Sequence, residues 1–246
     1  MKETITLSES DGVRYLHFGT PWVQGAMRIA RPFELELDYV RDMMAWLLFM
    51  HAPKQILQLG LGAGALTKWC WKHLPETRVI VVEREAAVVA ACRQYFKLPD
   101  NDERLTVVMD DARRALRNPQ WRGRFGVIQI DLYDAQAQGP VLDTLQFYRA
   151  AAAALVEPGV MVVNLFGAGH ASSARSIERL HEVFKGKVLM LPQTEAGNRV
   201  VLCFKGGPMS GPYELLERRA LWVDRKFHLG AARWLRSAWP LPVSLV

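Results

Sequence analysis

The chain has 246 residues, half of them hydrophobic and 23% charged, with a formal net charge of +6. That composition supplies a full core and excludes a disordered chain, and the length favours one large domain with a small appendage. The longest N-terminal apolar run, Met43 to Met50, is far below the roughly 18 residues that cross a bilayer, so a cytoplasmic protein without a membrane partner is expected. Cys70, Cys92 and Cys203 are odd in number and far apart, which fits reduced core thiols rather than a disulfide frame or a metal site.

Thr4 to Leu7 and Val13 to Phe18 flank the turn cluster Ser8-Glu-Ser-Asp-Gly12, which predicts a hairpin reversing near Asp11-Gly12. A third strand is expected around Trp22 to Ile29. From Phe33 to Met50 the spacing of Leu35, Tyr39, Met43, Trp46, Leu47 and Met50 predicts one helix bounded by Pro32 and Pro53. Strand and helix then alternate. Gln55 to Leu59 leads through three alternate glycines into a helix over Thr67 to His73, followed by a strand at Arg78 to Val82 and a helix at Glu85 to Phe96. Further strands fall at Leu105 to Met109, Phe125 to Ile130, Val160 to Leu165, Lys187 to Leu191 and Val200 to Phe204. Between them lie a short helix from Asp110 and helices at Leu145 to Leu155 and Ser172 to Phe184. This order predicts an α/β fold with a doubly wound, mostly parallel sheet. Residues 1–32 are expected to form an N-terminal β-hairpin module, 33–205 the main domain, and 206–246 a basic, Trp-rich helical tail from Tyr213 to about Arg236. Trp222, Phe227, Trp234 and Trp239 stand at helical spacing there. That pattern suits an amphipathic face against the core or a second subunit better than a nucleic-acid or membrane surface.

Gly60, Gly62 and Gly64 read as a strand-to-helix turn that lets a ligand lie against the main chain and offers it unpaired N–H groups. The pattern fits an adenosylmethionine site; Gly60, Gly62 and Ala65 also fit a dinucleotide site. Glu83 ends the next strand, where a carboxylate accepts from ribose hydroxyls. Asp110 and Asp111 end the third, one placed to accept from the exocyclic amine of adenine and the other to cap the short helix. Asp131 and Asp134 follow the fourth. A carboxylate there can hold an ammonium or take the proton an amine loses as it becomes a nucleophile. A basic chain with these carboxylates at one edge of a parallel sheet suits a cationic ligand.

Asp11-Gly-Val-Arg-Tyr-Leu16, Gln24, the Gly60 turn, Glu83, Asp111, Asp131-x-x-Asp134 with Gly139-Pro140, Phe147-Tyr148 and the Leu155 to Gly159 turn together resemble the spermidine synthase family, in its spermidine synthase-like branch. The resemblance spans residues 10 to 205. It implies a β-hairpin module followed by a Rossmann-like class I methyltransferase fold. It also implies transfer of an aminopropyl group from decarboxylated S-adenosylmethionine to putrescine or a related amine, by a homo-oligomer such as a dimer, without a metal. By this likeness Glu83 binds ribose, Asp111 adenine and Gln24 the nucleoside side, Asp131 is the base, and Asp134 helps to hold the amine.

Three departures accompany the match. Ala63 stands where the family's glycine turn carries an Asp that holds the donor's amine, and Leu61 replaces a glycine. The family's Tyr-His-Glu stretch falls near Val40-Arg41-Asp42. Its Pro-Thr-Tyr-Pro acceptor loop becomes Pro192-Gln-Thr-Glu-Ala-Gly197, with Thr194 in place of the tyrosine. Methyl transfer from S-adenosylmethionine, or a non-catalytic nucleoside-binding protein of the same fold, are the alternatives these changes leave open; an NAD-linked oxidoreductase and a nucleic-acid substrate are less favoured.

Overall fold

In the computed structural model, which describes residues 4–133, 142–166, 171–206, 212–239 and 241, the apolar runs become strands of two sheets. β1 (Thr6–Ser10), β2 (Val13–His17) and β3 (Gly25–Arg28) form an antiparallel sheet in that order. Asp11 and Gly12, with φ of 52° and 74°, make the reversal, as the left-handed preference of Asp-Gly dictates.

The main sheet takes β4 (Gln55–Leu59), β5 (Arg78–Glu83), β6 (Leu105–Met109), β7 (Phe125–Ile130), β8 (Leu155–Phe166), β9 (Val188–Met190) and β10 (Asn198–Lys205). Their order is β6-β5-β4-β7-β8-β10-β9. The pairings among β4 to β8 are parallel, and β10 runs antiparallel to both its neighbours. The helices are α2 (Ala65–His73), α3 (Ala86–Tyr95), α4 (Ala112–Ala115), α5 (Leu145–Ala154) and α6 (Ala171–Val183), after α1 (Asp38–Asp42) upstream. Alternate strand residues feed two cores: Ile56, Val79, Val81 and Val127 pack on one face, Leu57, Ile80, Val82 and Ile128 on the other. Burial on both faces is why these strands read as continuous apolar runs. The chain builds β4, β5 and β6 toward one edge and then returns to place β7 on the other side of β4. That reversal opens a crevice at the carboxyl ends of β4 and β7.

Two expectations are corrected. Phe33 to Met50 is not one helix: it comprises the single turn α1 and a 3₁₀ turn at Ala45–Leu48. Met43 to Leu48 are all buried, and their carbonyls find partners outside a helix. Gln129 Nε2 donates to Met43 O at 3.0 Å, and the Arg219 guanidinium donates to the carbonyls of Leu47 and Met50. The tail is likewise two helices, α7 (Tyr213–Phe227) and α8 (Ala231–Ala238), rather than one. His228 and Gly230 take φ of 56° and 77°, and the Asp224 carboxylate accepts from the N–H groups of Ala231 and Ala232, capping α8. Phe227 and Trp234 are buried in the core, whereas Trp222 and Trp239 are exposed.

Candidate active site

The crevice is a cavity of about 770 Å³. Gly60, Gly62, Gln24, Glu83, Asp110, Asp111 and Asp131 all line it, so the residues singled out at four strand ends do meet. Gly64 lies off this lining; at φ 68° it is the N-cap of α2, facing Leu98. Asp134, with Gly139 and Pro140, lies outside the described residues.

Beside the glycine turn, Glu83 is half-buried and ties the turns after β4 and β5 together. Its Oε2 accepts from the Leu61 N–H at 3.1 Å and its Oε1 from the Glu85 N–H at 2.9 Å. Burial pushes the carboxyl above its ordinary range, and those backbone N–H groups oppose the rise. Asp111 is the cap of the pair: its Oδ1 accepts from the N–H groups of Arg113 and Arg114 at 2.8 and 3.2 Å. Asp110 accepts from the Asp111 N–H at 2.7 Å and is ion-paired with Arg114. Both still border the cavity.

The other end is built round Asp131, the first residue after β7. Its N–H donates to Leu59 O at 3.0 Å, which ties the start of its loop to the end of β4. Asn164 Nδ2 donates to Asp131 Oδ1 at 2.9 Å, and Tyr39 Oη donates to Oδ2 at 3.4 Å. Asn164 is fixed in that sense because its own Oδ1 accepts from Asn198 Nδ2 at 3.1 Å. Tyr133 Oη donates to the Asn164 carbonyl at 2.6 Å. Burial drives the Asp131 carboxyl above the usual carboxylate range, while the Asn164 and Tyr39 bonds pull the other way. A half-buried carboxylate with one donor on each oxygen keeps lone pairs for a third partner. Trp22 and Phe166 meet edge to face, centroids 6.0 Å apart, and line the same cavity with Tyr133. The site therefore joins anionic ends by an aromatic wall.

Residues 36–184 match the spermine/spermidine synthase domain. The chain belongs to the spermine/spermidine synthase family. A polyamine aminopropyltransferase of Neisseria meningitidis serogroup A is 34% identical over 232 residues, covering 94% of this chain and 87% of the relative. One of Chromobacterium violaceum is 32% identical over 225 residues, covering 92% of this chain and 85% of the relative. Among solved structures, a probable spermidine synthase from Corynebacterium glutamicum shares the fold with a TM-score of 0.72 at 19% identity, over 90% of this chain and 89% of that one.

Against that family background the three departures take physical form. Ala63 is 3% exposed and faces the N-terminal sheet, not the cavity: a Cβ built on Gly25 would lie 2.6 Å from its own Cβ. Leu16, Met27 and Phe96 surround it. Asp in place of Ala63 is therefore expected to lower stability by about 3–5 kcal/mol, the cost of an uncompensated buried charge. That is a fall in Tm of roughly 6–20 °C for a chain of this size, with no gain in donor affinity. Thermal denaturation checks it, and an unchanged Tm would mean that position 63 opens to the cavity. In the second departure, Val40, Arg41 and Asp42 do not form the site. Tyr39, one residue before that stretch, reaches Asp131, and Glu36, Leu37 and Asp38 line the cavity beside it, whereas Asp42 is buried against the tail. In the third, Thr194 lines the cavity and its Oγ1 accepts from the Asn198 N–H at 3.1 Å, closing the loop onto the Asn198–Asn164–Asp131 chain.

Tyr39, Asn164 and Asn198 were missed as site residues. In the sequence Tyr39 falls on the helical stripe of Leu35, Met43 and Trp46 and reads as part of it. Asn164 carried a usable signal, since an amide in the run Val160 to Leu165 is buried and must find partners.

Proposed function

We propose that this protein transfers the aminopropyl group of decarboxylated S-adenosylmethionine to a polyamine such as putrescine, with Asp131 as the base. The observation that carries the reading is a half-buried carboxylate, held by Asn164 and Tyr39, on the wall of a cavity that also holds the Gly60–Gly62 turn and Glu83. In this reading Glu83 takes the ribose hydroxyls, Asp110 and Asp111 border the adenine, and Gln24 closes the nucleoside side. Trp22 and Phe166 offer apolar surface to the methylenes of the acceptor. Asp131 accepts the proton that the attacking amine loses, and Asp134 helps to hold the amine. As the new C–N bond forms, the C–S bond breaks and its electron pair stays on sulfur, which leaves neutral methylthioadenosine. The protein's task is alignment of the amine and accommodation of positive charge. Burial suits Asp131 to it, because a carboxyl held above its ordinary range is the stronger base.

A cytoplasmic homodimer belongs to the same reading. The three cysteines are free and buried, and Leu215, Leu221 and Trp222 on α7 offer exposed apolar surface for a second copy to cover.

Calorimetric titration with S-adenosylmethionine, its decarboxylated form and methylthioadenosine, each with and without putrescine, tests the reading. The expected result is a preference for the decarboxylated donor that putrescine strengthens. A preference for S-adenosylmethionine would move the assignment to methyl transfer, and no binding at all would leave a fold without this chemistry.

A further inference from the structure

We infer that the C-terminal helices are part of the active-site scaffold: Arg233 and Trp234, acting through Asp42, fix the helical turn that aims Tyr39 at Asp131. The inference rests on the role proposed for Asp131. Arg233 and Trp234 are positioning residues, since neither lines the cavity.

α1 is five residues long and its N-cap, Leu37, makes no side-chain cap bond. A helix of one turn has no stability of its own, so its place is set by what it packs against. Asp42, its last residue, is 5% exposed, and its Oδ1 accepts from Arg233 Nη2 at 2.7 Å and Trp234 Nε1 at 2.8 Å. These charge-assisted bonds satisfy a carboxylate that burial would otherwise penalise heavily. Tyr39 stands one turn before Asp42, and its Oη reaches Asp131 at 3.4 Å, the long end of hydrogen-bond geometry. A small displacement of the turn therefore makes or breaks that bond.

The clamp is stiff. Asp224 at the end of α7 accepts from the first N–H groups of α8, so the two tail helices move together. Arg219 of α7 grips the carbonyls of Leu47 and Met50, just beyond α1. Phe227 meets Trp69 of α2 edge to face at 5.1 Å, so the same tail braces the helix that follows the glycine turn.

The titratable groups facing Asp131 are Tyr39 from α1 and Tyr133 from its own loop; Asn164 of β8 is neutral. Those facing Asp42 are Arg233 from α8 and Asp38 from its own turn. Tyr39 donates to the ionised form of Asp131, so losing that bond lets burial raise the Asp131 carboxyl further.

The test uses the full chain with decarboxylated S-adenosylmethionine and putrescine as probes, and compares Arg233→Gln, Trp234→Phe and Tyr39→Phe. Each is expected to lower kcat about tenfold, the scale of one hydrogen bond to a charged group. Each should also move the acid limb of the kcat/KM profile for putrescine to higher pH, while inhibition by methylthioadenosine stays unchanged. Tail variants combined with Tyr39→Phe should shift the limb no further, and Arg233→Lys should restore part of the turnover. If Tyr39→Phe moves the limb and the tail variants lower only Tm, the tail is a structural brace and the inference fails. If Tyr39→Phe leaves the limb in place, the role of Asp131 as base fails instead.

Discussion

Replacing Asp131 with Asn is expected to lower kcat by about 10²–10⁴-fold, the span contributed by a general base, while methylthioadenosine binding is nearly unchanged. The exchange preserves volume, and the amide can still accept from Asn164 or Tyr39 while the freely turning Tyr39 hydroxyl adapts to the new N–H. Stability should move the other way. Burial holds the Asp131 carboxyl above its ordinary range, so its folded pKa exceeds its unfolded one. The stability linked to that difference is present below the unfolded pKa and is lost as pH rises through the folded pKa. Between the ordinary carboxylate range and neutrality the wild-type protein should therefore lose stability relative to Asp131→Asn, and at neutral pH the variant should melt no lower than the wild type. Steady-state kinetics and melting curves across pH measure both effects. Equal loss of nucleoside binding and turnover would make Asp131 a binding carboxylate, and unchanged turnover would remove it from proton transfer.

What could be read from the sequence was what local pattern encodes. The strands from Gln55 to Val82 and from Leu105 to Ile130 announce themselves as apolar runs because both faces of the sheet are covered, and the turn after Leu59 needs its glycines within five residues. Glu83, Asp110, Asp111 and Asp131 all line the crevice because strand ends in a parallel sheet share one edge. What stayed hidden depends on distant partners. Asn164 and Asn198 meet only through the antiparallel register that sets Val200 opposite Asn164 and Asn198 opposite Phe166. Helical spacing over Phe33 to Met50 could not reveal that Gln129 and Arg219 would take the carbonyls a continuous helix needs. The change at Ala63 looked like a missing ligand in the motif, yet Gly25 of the N-terminal sheet docks on that position. By sequence the family's Tyr-His-Glu stretch falls at Val40 to Asp42, just past Tyr39, because sequence alone cannot show which residue of a single turn faces a cavity and which faces the tail.

Gly60→Ala is expected to be the most destabilising substitution in the glycine turn. Gly60 has φ of 95°, and a Cβ there would lie 2.1 Å from the Asp131 carbonyl oxygen and 3.1 Å from its carbon. The obstacle is backbone and cannot rotate aside. Asp131 N–H is bonded to Leu59 O and Gly60 N–H to Val82 O, each at 3.0 Å, with Leu59 and Ile130 paired in register one residue earlier. Relief would require parting β4 from β7 at the point where the cavity opens. Strained backbone and overpacking each cost about 1–3 kcal/mol, so a loss of about 4 kcal/mol is expected. That is a fall in Tm of roughly 8–16 °C. Turnover should fall with it, because the same contact seats Asp131 beside the turn. Gly64→Ala provides the contrast: its Cβ would rest 3.4 Å from a Leu98 methyl at φ of 68°, so backbone strain of about 1–2 kcal/mol is all it meets. Gly62→Ala falls between, with a Cβ 3.0 Å from the Gln24 carbonyl oxygen on the cavity side, and should weaken nucleoside binding more than it lowers Tm. Melting curves for the three variants, with methylthioadenosine titrations, rank them. Gly64→Ala melting below Gly60→Ala would mean that the turn is not held by the close approach of the Asp131 backbone.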